Sequence, residues 1–170
     1  MKILKITIFS ALMLFISTSY TQSKTIVGVA AGNENFTTLV AAVKAADLVE
    51  TLNSEGPFTV FAPVNSAFDA LPTGTVDNLL KPESKDALTG ILTYHVVAGN
   101  YMAGDIINAI KGNNGVFSVK TVQGGSITLS LSGDKVMLKD ANGNMATVIM
   151  ADVAASNGVI HAIDTVVMPK

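Results

Sequence analysis

The chain contains no cysteine. That excludes disulfides, zinc–thiolate sites and a lipid anchor carried on a cysteine behind a leader. Charge is scarce as well. Asp, Glu, Lys and Arg make up 14% of the residues and the net charge is −2. No basic run and no basic face interleaved with aromatics is present, so nucleic-acid binding lacks its electrostatic footprint. After the first twenty or so residues there is no long apolar span, no Pro- or Ser-rich linker and no internal repeat. What is abundant is core material, with 49% hydrophobic residues.

The N-terminus carries Lys2 and Lys5, an apolar run over residues 6–16 and a small polar exit, Ser17-Thr18-Ser19-Tyr20-Thr21-Gln22. A basic start, a short apolar centre and small residues at the exit are the pattern of a secretory signal peptide. The run is about half the length a bilayer-spanning helix needs. Residues 1–22 are therefore expected to be a signal and residues 23–170 one domain, released without membrane insertion once the signal is cleaved. The competing readings are a buried core helix or an uncleaved anchor. A domain of roughly 150 residues buries about 68–70% of its unfolded surface, enough to do without disulfides.

Periodicity divides the domain into two halves. In the first, Phe36, Leu39, Val40 and Val43 fall at i, i+3, i+4 and i+7, which predicts a helix over residues 36–46 with an Asn just ahead as its cap. A short helix is expected over 47–52, then a buried strand Phe58-Thr59-Val60-Phe61-Ala62 ended by Pro63. Asn65 can cap a short helix through Phe68 and Leu71, followed by a turn or two over 75–80. Residues 84–97 make the clearest helix of this half, closed by Gly99, and residues 104–110 a last short one. Gly28-Val29-Ala30-Ala31-Gly32 lacks dinucleotide-fingerprint spacing and reads as a loop. In the second half the period changes to two, through 117–122, 127–131, 136–139, 145–153 and 159–168. Turns fall at Gly124-Gly125, Gly133-Asp134 and Asn142-Gly143, the last being the strongest hairpin signal. Helices first and antiparallel strands after indicate an α+β domain, helices packed on one side of a β-sandwich or curled sheet.

Three stretches carry a family resemblance. They are Phe58-Thr59-Val60-Phe61-Ala62-Pro63-Val64-Asn65-Ser66-Ala67-Phe68, then Thr93-Tyr94-His95-Val96-Val97-Ala98-Gly99, then Ala155-Ser156-Asn157-Gly158-Val159-Ile160-His161-Ala162-Ile163-Asp164 with Val166-Val167-Met168-Pro169. In this order and at these separations they resemble the boxes of the fasciclin domain family. Val64 and Ser66 depart from it, standing where Thr and an acid are frequent. The resemblance implies a wedge-shaped β-sandwich of about seven strands flanked by helices, and a role in adhesion or matrix association. It marks Pro63, Asn65, Phe68, Gly158 and His161 as motif residues. It also offers Tyr94, His95, Asn157, Ile163 and Asp164 as candidate interaction residues, the Ile163-Asp164 pair by its position in a box linked to receptor contact; the competing reading of Asp164 is a local cap or pairing.

His95 and His161 are the only histidines, and neither has ligand-spaced partners except Asp164 three residues after His161. Metal binding normally needs three or four ligands, so no metal site is expected. Each imidazole is expected to satisfy buried backbone or hydroxyl groups where helices meet the sheet. A triad of a Ser, His161 and Asp164 lacks a Gly-x-Ser-x-Gly elbow. Asn157-Gly158 reads as a turn that aims the last strand, the glycine taking a conformation other residues resist. Ala103-Gly104-Asp105 is only an echo of an Arg-Gly-Asp motif.

These features predict a secreted or periplasmic, non-catalytic module without cofactor. Its partner would be a cell-surface or matrix protein or a polysaccharide. The alternative is a carrier of a small apolar ligand such as a lipid, motivated by the apolar content and by Met102, Met137, Met145 and Met150. An enzyme ranks last.

Overall fold

The structure, a computed structural model, describes residues 24–170. The signal segment expected over residues 1–22 lies outside the described residues.

The helical half contains α1 (Ile26–Ala31), α2 (Thr37–Ala45), α3 (Val49–Asn53), α4 (Asn65–Asp69), α5 (Thr75–Leu79), α6 (Lys85–Tyr94) and α7 (Ala103–Gly112). The strands are β1 (Phe58–Pro63), β2 (Val96–Ala98), β3 (Val116–Lys120), β4 (Ser126–Ser132), β5 (Lys135–Lys139), β6 (Met145–Ala155) and β7 (Gly158–Ile163). They form one seven-stranded sheet in the order β2-β1-β7-β6-β5-β4-β3. Its two edge strands meet again at a bridge between Val97 and Thr121, so the sheet curls back on itself. The α+β class and the seven strands agree with the expectation.

Two apolar clusters result. One lies inside the curl and joins Phe61, Tyr94, Ile106, Leu129, Leu138 and Ile163. The other packs α1, α2 and α6 on the outer face of β1 and β7 through Phe36, Leu39, Leu92, Val60 and Ile160. Residues alternate between these clusters along β1: Val60 and Ala62 face the helices, and Phe61 faces the interior of the curl.

Several sequence expectations need correction. The helix expected over 84–97 stops at Tyr94, because Val96 and Val97 pair antiparallel with Val60 and Thr59 of β1. Their β-branched side chains suit that pleat better than another helical turn. Gly99, at φ 111°, then ends a strand and not a helix. The 47–52 helix begins two residues late because Asp47 adopts a left-handed φ of 55°. The loop expected around Gly28 is helix α1, capped by Thr25, whose side-chain oxygen accepts from the Gly28 N–H at 3.3 Å. The run of five antiparallel strands closes with one parallel pair, since β7 lies antiparallel to β6 but parallel to β1 over its whole length.

Asn65 caps a different helix from the one assigned to it. It is the first residue of α4, and its Oδ1 accepts from the Thr38 N–H at 3.1 Å and the Thr37 hydroxyl at 3.1 Å, while its Nδ2 donates to Glu34 O at 2.8 Å. It thereby closes the N-terminus of α2 from 27 residues away. The nearer Asn33 serves only the 3-10 turn Glu34–Phe36, through Asn35 N–H.

Candidate functional site

The Tyr-His element occupies the C-terminal end of α6 and turns inward. Tyr94 is fully buried; its hydroxyl donates to Ser126 O at 2.8 Å and accepts from the Ala141 N–H at 3.1 Å. His95 is buried beside it. Its Nδ1 bonds Ile91 O at 2.8 Å, and its Nε2 accepts from the Val167 N–H at 3.2 Å. A carbonyl on one side and an N–H on the other define a neutral ring protonated at Nδ1. Burial lowers its pKa to about 4, against the opposing effects of the Ile91 carbonyl and the Asp140 charge.

Asp140, a residue the sequence reading did not single out, organises the other side of the same cluster. Its Oδ1 accepts from Asn142 N–H and Asn144 N–H, and its Oδ2 from Asn144 Nδ2 and, at 3.0 Å, from Met168 N–H. These hydrogen bonds hold its pKa below the ordinary value despite the opposing effect of burial. Asn142 Nδ2 also donates to Met168 O and Pro169 O. The final segment, expected as strand through 168, leaves the sheet after Ile163 and is clamped between His95 and the Asp140 turn. Asp140-Ala141-Asn142-Gly143 announces a side-chain-stabilised turn, but nothing local announces the partner at Met168.

His161 uses the opposite tautomer. Its Nε2 bonds Tyr101 O at 2.7 Å and its Nδ1 accepts from the Asp152 N–H at 3.3 Å. The ring stacks on Phe61 with centroids 5.7 Å apart. Burial lowers its pKa, only partly offset by the Tyr101 carbonyl and the Asp152 charge. Asp152, at φ 57° in an irregular stretch of β6, directs its carboxylate to the Ala103 N–H at the start of α7. Both imidazoles have their two nitrogens engaged and stay uncharged near neutrality. A proton taken up by either would oppose an N–H already pointing at it.

Asn157 ties three segments together. Its Oδ1 accepts from Ile26 N–H at 2.9 Å, and its Nδ2 donates to Leu52 O at 2.7 Å and Ser54 O at 2.9 Å. Gly158 is required for space and not for a left-handed backbone: an added Cβ would lie 1.9 Å from Phe58 O, and its φ is not positive. Pro63 ends β1 beside Ile163, and Phe68 of α4 packs in the helical cluster.

The five candidate interaction residues separate by position. Tyr94, His95 and Ile163 are interior, Asn157 is half-buried, and Asp164 is exposed. The Asp164 carboxylate accepts from the Thr147 N–H at 2.8 Å and from the Thr165 hydroxyl, so it also closes the β6–β7 end of the sheet. Among the described residues no group of three or more His, Cys, Asp or Glu side chains could hold a metal ion. No described helix is long and apolar enough to cross a membrane.

The sequence pattern of the Fasciclin domain matches residues 34–169. The chain belongs to the fasciclin domain family. This fasciclin domain is 57% identical over 145 residues to Protein sll1483 of Synechocystis sp., covering 85% of this chain and 73% of that protein. It is 40% identical to the transforming growth factor-beta-induced protein ig-h3 of Sus scrofa, covering 85% of this chain and 19% of that protein. Among solved structures it resembles a FAS1 domain pair from the insect cell adhesion molecule Fasciclin I. The TM-score is 0.62 at 25% identity, over 80% of this chain and 46% of that one.

Proposed function

We propose that this fasciclin domain is an exported, non-catalytic adhesion module that binds a component of the cell surface, envelope or matrix through its folded exterior. The observation that carries the reading is the use the fold makes of its reactive side chains. Tyr94, His95 and His161 are each held by two interior hydrogen bonds, so contact falls to the outer surface. A solved relative of this fold comes from a molecule described as a cell adhesion molecule, which supports the same reading.

A carrier of an apolar ligand would need a chamber between helices and sheet. The apolar cavity there, lined by Ile26, Leu39, Val43, Val60 and Leu92, amounts to about 30 Å³. Small-molecule sites run to roughly 300–1,000 Å³, so the adhesion reading is preferred.

Asp164 is the expected contact residue that solvent reaches. The test is retention of the purified protein on cells, envelope and matrix of its source, compared with Asp164→Ala. Saturable retention weakened by the substitution, with thermal unfolding shifted only slightly, supports the reading. Absence of retention on every preparation sinks it.

A further inference from the structure

A concave surface lies beside the β6–β7 turn. The chain after α3, the loop after β2 and the β6–β7 turn enclose a cleft of about 540 Å³, lined by residues that include Asn53, Glu55, Pro57, Asn100, Ala155 and Ser156. Its walls are locked to each other. Asn157 bonds Leu52 O and Ser54 O across the floor. An added Cβ on Gly56 would lie 2.0 Å from Asn157 O, and one on Gly158 would lie 1.9 Å from Phe58 O, so the two walls pass in backbone contact. A cleft held in this way is formed before any ligand arrives, which reduces the ordering cost of binding.

Its chemistry selects a ligand class. Glu55 and the Asn100 amide, the Asn53 Nδ2 and the Ser156 hydroxyl are exposed and have no side-chain hydrogen-bond partner among the described residues. Amides and a hydroxyl both donate and accept, and a carboxylate accepts from paired hydroxyls. Among the described residues no Lys or Arg lines the cleft, which disfavours phosphates and acidic polymers. Pro57 and Ala155 add small apolar faces of the kind that meet C–H surfaces.

We propose that this cleft binds a neutral saccharide, one or two units of a polysaccharide, through Asn53, Glu55, Asn100 and Ser156. The assignment rests on the adhesion reading and names the class of its partner. A single open cleft of this polarity binds weakly, and a repetitive polymer compensates by presenting many equivalent units to clustered copies.

The test is an NMR titration of the exported protein with maltotriose, cellotriose and a neutral galactose trisaccharide, with a uronic acid trisaccharide and inorganic phosphate as anionic probes. Saturable shifts from at least one neutral sugar, confined to the backbone amides of residues 53–56, 58, 99–100 and 155–158, are expected. The Glu55→Ala/Asn100→Ala double variant is expected to weaken that binding about tenfold or more while keeping its melting temperature. No shifts with any neutral sugar, shifts elsewhere, unchanged affinity in the double variant or preference for the anionic probes would each overturn the assignment. Loss of the cleft with retention on cells intact leaves the adhesion reading standing. Saturable cleft shifts in a protein that no cell or matrix preparation retains would uphold the cleft and overturn adhesion.

Discussion

Acidification probes the interior role of His95 directly. In the unfolded chain this imidazole titrates near 6.5, and in the folded protein burial moves it to about 4. Between those values the unfolded state binds the extra proton and the folded state does not, so stability falls as the pH drops from 6.5 and levels off below about 4. The full difference amounts to about 3 kcal/mol, and about 2 kcal/mol of it is lost by a pH of roughly 4.5. For a domain of this size that lowers the melting temperature by roughly 4–8 °C. His161 is shifted in the same direction and adds to the loss. The assay is urea or thermal unfolding near neutrality and near pH 4.5, on the wild type and on His95→Gln, whose amide does not titrate. The variant starts less stable, because Val167 N–H and Ile91 O lose well-placed partners, at a cost of about 1–3 kcal/mol. Its further loss on acidification should be smaller than that of the wild type by about 2 kcal/mol. Equal losses in the two proteins would refute the placement of a neutral, doubly bonded imidazole at His95.

Three further perturbations test other parts of the fold. Gly158→Ala forces a methyl onto the Phe58 carbonyl and should separate β7 from β1, lowering stability by about 3 kcal/mol or more in denaturant titrations; a change below about 1 kcal/mol contradicts the close approach. Asn65→Ala removes the remote cap of α2 and should cost about 1–2 kcal/mol, more than Asn33→Ala, with amide exchange at Thr38 accelerated. Asp140→Asn places an amide against the N–H donors of Asn142, Asn144 and Met168. It should lower stability by about 1–3 kcal/mol and speed amide exchange at Met168 before that at β4; unchanged exchange at Met168 would argue against the clamp.

Local chemistry was the part of this fold that could be read in advance. Asn142-Gly143 marks its hairpin because Gly143 sits at φ 93°, a demand that one residue type meets easily. The alternation along β4 and β5 reports one buried face, with Ile127, Leu129, Val136 and Leu138 inside. Features that depend on distant partners were hidden. Val96 and Val97 continue a helical period and become strand only because β1 is available to pair with them. The parallel alignment of β7 on β1 joins residues about a hundred positions apart, and no local pattern encodes it. The motif boxes were legible as a set, but their division of labour was not. Asn65 serves another helix, Gly158 is needed for clearance, Tyr94 ties the Asp140 turn to β4, and His95 holds the C-terminal segment. The polar cleft went unseen because Asn53 at the end of α3, Asn100 after β2 and Ser156 in the β6–β7 turn lie far apart in sequence with no shared spacing.

Adhesion of the proposed kind requires that this fasciclin domain make contact through its folded exterior and leave its partner chemically unchanged. The most direct measurement is equilibrium binding of the purified protein to envelope and matrix from its source, followed by mass analysis of both recovered components. Saturable binding, lost when the protein is unfolded and returning both components unmodified, is the predicted result. No binding at any concentration, or release of cleaved or altered partner, would contradict it.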